Sequence, residues 1–129
     1  DQPSALTHWP VQLHLINPMA AHFKGSNLLL AADCVAYALA NFHSKHLQGK
    51  TLAIACPKLD SNKEVYIQKI TALIDNAQVD TITVMRMEVP CCGGLVQMAQ
   101  IARDAAKRHI PIKVVEVGIQ GEILDSKWI

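Results

Sequence analysis

The sequence predicts an α/β domain of three layers, with a mostly parallel sheet of about four to five strands covered by helices on both faces. Short continuous apolar runs of the kind a buried parallel strand shows recur along the chain, and most are followed by a stretch of helical periodicity. Strand and helix alternate at a spacing that calls for right-handed crossovers. All four cysteines fall where the apolar runs end, and ligands bind outside the carboxyl ends of the strands in such sheets.

Residues 1–25 read as an extended lead-in and residues 26–129 as a single α/β domain. The lead-in is punctuated by Pro3, Pro10 and Pro18, and only Val11 to Ile16 alternates as an edge strand should. His8, His14 and His22 lie here without metal-binding spacing and are expected as surface or hydrogen-bonded histidines. Leu28-Leu29-Leu30-Ala31-Ala32 is the first buried run, ending in Asp33-Cys34. Val35, Leu39, Phe42 and Leu47 then recur at near-helical spacing. A helix is therefore expected from Val35 to Leu47, capped by Asp33, with Cys34 in its first turn and Gly49 at its stop.

Thr51-Leu52-Ala53-Ile54-Ala55 repeats the grammar and ends in Cys56-Pro57. Ser61-Asn62-Lys63-Glu64 has the form of a capping box before a helix whose stripe is Ile67, Ile70 and Ile74. A third unit runs from Thr81 to Val89 into Cys91-Cys92, then into a helix from Leu95 to Lys107 carrying Leu95, Met98, Ile101 and Ala105. A fourth strand, Ile112 to Val117, ends in Gly118-Ile119-Gln120-Gly121-Glu122. The succession is Rossmann-like.

A chain of 129 residues, half of them apolar, suffices for one domain with an ordinary core. A formal net charge of +1 without a clustered Lys/Arg run argues against nucleic acid or a membrane surface as partner. The apolar runs fall well short of the roughly 20 residues of a membrane span. The polar opening Asp1-Gln2-Pro3-Ser4 has no secretory character. The chain lacks an initiator Met and opens on residues typical of mid-protein sequence, so an excised domain or processed fragment is expected. Four cysteines without a secretory mark point to a reducing, cytoplasmic setting and to metal or redox use before disulfides.

On a parallel sheet, Cys34, Cys56, Cys91 and Cys92 converge on one rim, because neighbouring strands lie about 4.8 Å apart. Four thiolates suit an iron–sulfur cluster, 2Fe–2S or 4Fe–4S, with Zn²⁺ as the alternative. Neither zinc-knuckle spacing nor a ferredoxin Cys-x-x-Cys run is present, so the argument rests on topology. Cys91 and Cys92 sit between strand and helix, where the backbone N–H groups of a helix start favour a thiolate. Gly93 and Gly94 permit a tight turn and close approach of a bulky group. Adjacent side chains diverge, so one of Cys91 and Cys92 can ligate while the other packs or binds a second metal atom, or the two can join in a vicinal disulfide.

Asp33 and Glu122 lie near enough to the rim to accept hydrogen bonds from it or carry protons, or else serve only as a cap and a solvated carboxylate. No Gly-x-Gly-x-x-Gly or Walker-type loop advertises a dinucleotide or nucleoside triphosphate. Two other classes stay open: a thiol-dependent small-molecule enzyme or sensor using Cys91 or Cys92, and a docking domain whose cysteines are structural or hold zinc. A histidine base for such a thiol, His43 or His109, is possible on paper, but His43 falls more than two helical turns beyond Cys34.

Trp9-Pro10-Val11-Gln12-Leu13, Leu30-Ala31-Ala32-Asp33-Cys34, Cys56-Pro57-Lys58-Leu59-Asp60, Glu88-Val89-Pro90-Cys91-Cys92-Gly93-Gly94 and Gly118-Ile119-Gln120-Gly121-Glu122-Ile123-Leu124 together resemble the C-terminal α/β domain of anaerobes' ferredoxin-type iron–sulfur proteins. In those proteins a dicluster 4Fe–4S ferredoxin module precedes this domain. The layout is more distantly similar to the cysteine-bearing domain of the methyl-viologen hydrogenase delta subunit, whose thiols at successive strand ends hold a 2Fe–2S cluster. That subunit uses a Cys-x-x-Cys at its first position, whereas Cys34 stands alone. The resemblance implies Cys34, Cys56, Cys91 and Cys92 as ligands, electron transfer as the role, and a ferredoxin-type domain in the same polypeptide or a separate redox partner; a homodimer stays open as well.

Overall fold

The structure is a computed structural model describing residues 2–90 and 93–129. The apolar runs form strands β1 (Asn27–Ala32), β2 (Thr51–Ala55), β3 (Thr81–Met87) and β4 (Ile112–Val117), all parallel, and β5 (Ile123–Trp128) joins β4 antiparallel. The order across the sheet is β2-β1-β3-β4-β5. β1 is covered on both faces, which is why it reads as an unbroken apolar run: Leu28, Leu29 and Leu30 are all 0 % exposed.

The chain leaves β1 toward β2 on one side and returns past it to β3 on the other. Right-handed crossovers then put the β1–β2 connection on one face of the sheet and α2 (Lys63–Asp75) and α3 (Gly93–Ala105) on the other, packed together. The strand order reverses between β1 and β3, and in open sheets of this kind ligands bind outside the carboxyl ends of the strands at such a point.

Several elements differ from expectation for physical reasons. The span from Val35 to Leu47 is not one helix. It divides into α1 (Val35–Ala38), a break with Leu39 extended, and a π-helical stretch, Phe42–Leu47. Val35, Leu39, Phe42 and Leu47 are all buried as expected, but the last two are five residues apart. A π-type bond from Gln48 N–H to the His43 carbonyl (3.1 Å) accommodates that step where an α-helix would not. Cys34, not Asp33, occupies the N-cap of α1, and no side chain caps it.

The expected capping box is also absent: Asn62 precedes α2 in the left-handed region (φ 56°) and makes no side-chain cap bond. Ile70 and Ile74 are buried in α2 beside Tyr66 and Leu73, while Ile67 is only partly buried; α3 begins at Gly93 and leaves Ile101 51 % exposed.

Val11 to Ile16 turns back on itself instead of forming a strand, with Leu15 and Ile16 both donating to the Gln12 carbonyl. It nonetheless covers the outer edge of β2. Ile54 N–H donates to the Val11 carbonyl (2.8 Å), Leu13 N–H to the Ile54 carbonyl (2.9 Å), and Leu52 N–H to His8 Nε2 (2.9 Å). An edge strand's free donors are thereby satisfied. Leu13 and Ile16 from this segment, and Phe23 further along the lead-in, enter the core.

A cysteine-bearing rim at the switch point

Two of the four cysteines lie among the described residues. Cys34 follows β1 and is exposed; Cys56 follows β2 and is half-buried; both are free thiols. Their strands adjoin in register, Ala32 opposite Ala55, and Asp33 N–H donates to the Ala55 carbonyl (3.2 Å). Cys56 follows Ala55 directly and Cys34 lies one residue beyond Asp33, so the two cysteines leave neighbouring strands at one rim, a residue apart in register. Cys91 and Cys92 lie outside the described residues.

The segments flanking that pair are anchored. After β3, Glu88 N–H donates to the Val117 carbonyl (2.8 Å) and its carboxylate accepts from Ile119 N–H (2.8 Å). Arg86 donates to the carbonyls of Met87 (3.1 Å) and Val89 (3.4 Å). On the far side, Gly93 and Gly94 form the first turn of α3. A Cβ on Gly94 would stand 3.1 Å from Cβ of Pro57, so α3 starts against the loop that carries Cys56. A side chain at Gly94 would require Pro57 to give way by a few tenths of an ångström.

The turn from β4 to β5 closes the rim. The Glu122 carboxylate lies over Gly118, occupying the space a Cβ there would need. Gly121 has φ +86° and a Cβ on it would come 2.6 Å from the Ala38 carbonyl, so the turn rests on the end of α1.

Beneath Cys56 lies a polar network. Oδ2 of Asp60 accepts from Cys56 N–H (2.9 Å), from Gln12 Nε2 (3.2 Å) and from the Tyr66 hydroxyl, while Asp60 N–H donates back to the Cys56 carbonyl (2.9 Å). The loop Cys56 to Asp60 is thus closed by one carboxylate, and the Cys56 backbone is fixed by residues from three parts of the chain. Tyr66 is fully buried, and its hydroxyl is held well above the usual phenol range, first by burial and then by its bond to Asp60. This network escaped the sequence argument. Its one visible signal is the Cys-Pro-x-x-Asp spacing, which suits an aspartate folding back on the residue four before it.

Asp33 sits between these groups with Oδ1 buried and without a partner among the described residues. Burial raises its carboxyl above the ordinary value, and the Asp60 carboxylate adds to the rise. A raised carboxyl gives stability that is present below its ordinary pKa and lost as pH climbs through the raised one. Asp33→Asn is accordingly expected to raise the melting temperature at pH 7 and leave it almost unchanged at pH 3; thermal denaturation at the two pH values checks this, and equal destabilisation at both would contradict it.

The expected histidines are engaged in hydrogen bonding and stacking. His8 accepts from Leu52 N–H and stacks on His22, His14 Nε2 lies 2.7 Å from the Ser61 carbonyl, and His43 Nδ1 accepts from Ala5 N–H (3.0 Å). Among the described residues no three His, Cys, Asp or Glu side chains are grouped to hold a metal ion. A shared soft-metal centre would therefore require donors beyond Cys34 and Cys56. Among the described residues no helix is long and apolar enough to cross a membrane.

A family model described as a Rossmann-like domain matches residues 20–128. A protein of Archaeoglobus fulgidus described as uncharacterized is 25 % identical over 115 residues, spanning 89 % of this chain and 80 % of its own length. No solved structure matches the chain.

Proposed function

Because the chain belongs to the Rossmann-like domain family, whose match covers the whole sheet, we propose that its cysteine-lined rim is a soft-metal site holding an iron–sulfur cluster for electron transfer. One observation carries the reading: Cys34 and Cys56 are free thiols on adjoining, in-register strand ends, and α3, which begins directly after Cys91-Cys92 in sequence, starts against the Cys56 loop. In this reading Cys34, Cys56, Cys91 and Cys92 are the ligands.

A bound cluster would accept and return single electrons. The residues of the chain prepare the place for it. Asp60 locks the Cys56 backbone, Gly94 lets α3 approach Pro57, and the exposure of Cys34 leaves one side open to a partner. That partner is a ferredoxin-type module, in the same polypeptide or separate, and free thiols of this kind belong in a reducing cytoplasm. Zinc in the same site would keep its structure and abolish electron transfer.

Cys34→Ser and Cys56→Ser, each prepared without air, are the test. Iron and acid-labile sulfide are expected to fall to background in both, with the circular dichroism of the fold retained. Undiminished iron in either variant would remove that residue from the site and the common centre with it.

A further inference from the structure

The amino ends of the parallel strands carry a second feature, remote from the cysteines. Asn27 and Thr81 are the first residues of β1 and β3, and beside them opens a groove of about 450 Å³ on the face that the π-helical stretch only partly covers. Its walls carry Lys45, His46, Lys50, Lys113 and Trp128, with Thr83 beneath them. No carboxylate lines it among the described residues. Three lysines line the groove with no carboxylate to offset them, so its potential favours an anion.

From this the geometry points to a binding site for a small, multiply charged anion of the phosphate-ester or polyphosphate class, held by Lys45, Lys50 and Lys113. Two of these cations are already positioned. Lys113 lies 5.8 Å from the centroid of the Trp128 ring, and Lys50 Nζ donates to the His46 carbonyl (3.1 Å). His46 lines the same groove, and its Nε2 is buried without a partner among the described residues. The groove is compact and partly walled, which suits a small ligand over an extended polyanion, and the near-neutral chain lacks the broad basic surface that nucleic acid needs.

The histidine supplies a signature that a mere patch of surface lysines would not. Burial lowers its imidazole below the ordinary value, and Lys45 and Lys50 from its own segment and Lys113 from β4 lower it further. An anion between these groups offsets the repulsion, so binding should draw a proton onto His46 and be tighter at pH 6 than at pH 8.

The experiment is calorimetric titration of the full chain with inorganic trimetaphosphate, a small trianion that does not itself titrate between pH 6 and pH 8, repeated near pH 6.5 in two buffers of different ionisation enthalpy. Expected are one site, proton uptake on binding that vanishes in His46→Asn, and affinity about tenfold weaker in Lys113→Gln and in Lys50→Gln. No binding at millimolar trimetaphosphate, unchanged affinity in both lysine variants, or binding without proton uptake would overturn the assignment. So would tighter binding of a single-stranded RNA oligonucleotide, which would give this face to nucleic acid. The proton measurement on the unmodified chain stands even where a variant folds poorly.

Discussion

Asp60→Ala is expected to cost about 2–4 kcal/mol of folding stability, because one deletion takes the acceptor from three partly or fully buried donors at once. The Cys56 amide, the Gln12 amide and the hydroxyl of fully buried Tyr66 all lose their acceptor. The Gln12–Tyr66 bond (2.8 Å) survives and compensates in part. Asp60→Asn should cost roughly 1–2 kcal/mol, since an amide keeps one oxygen for the Cys56 N–H. Denaturant unfolding measures both. Because the same carboxylate fixes the Cys56 backbone, Asp60→Ala should also lower metal content while Asp60→Asn largely preserves it. Equal stability of the two variants would show that the three-way network is not what holds the loop.

Lys69→Met is expected to destabilise by about 2–4 kcal/mol, although Lys69 is a partly exposed residue in the middle of α2. Its ammonium donates to three carbonyls of the lead-in, those of Leu13 (3.1 Å), His14 (2.6 Å) and Ile16 (2.9 Å). Methionine keeps the apolar stem and removes only the charge and the donors, so the loss isolates those bonds. The turn they close carries Leu13 and Ile16 into the core and holds Val11 against the edge of β2. Hydrogen exchange should therefore accelerate at Leu13, Ile16 and Ile54 ahead of the rest of the sheet. Protection unchanged at these amides would mean that the lead-in is held by its apolar contacts alone.

The four parallel strands were legible because each is buried and reads as an apolar run bounded by turn residues. β5 carried no such signal: all six of its residues are exposed, and Ile123-Leu124-Asp125-Ser126-Lys127-Trp128 has neither the run nor the alternation of a buried strand. Strand ends were legible too, and with them the placing of Cys34 and Cys56 on one rim. Local backbone detail was not. The spacing of Val35, Leu39, Phe42 and Leu47 selects the right side chains for burial, yet the five-residue step between the last two belongs to a different ladder. The Ser61 to Glu64 string matches a capping box in residue type, but the left-handed Asn62 breaks its geometry.

What holds Cys56 in place was hidden for another reason. Gln12, Asp60 and Tyr66 are brought together only by the fold, and nothing in their spacing announces it. Lys69 likewise reads as a solvated helix residue until the lead-in is laid across α2.

The account turns on whether the thiols of this chain share a single soft-metal centre. Iron, acid-labile sulfide and zinc determined together with a visible spectrum, on protein purified and kept without air, answer that directly. The account predicts a coloured protein with iron and sulfide in near-stoichiometric amounts. A colourless chain holding one zinc would keep the site and reject the cluster, and a metal-free chain whose four thiols all alkylate independently would contradict the centre itself.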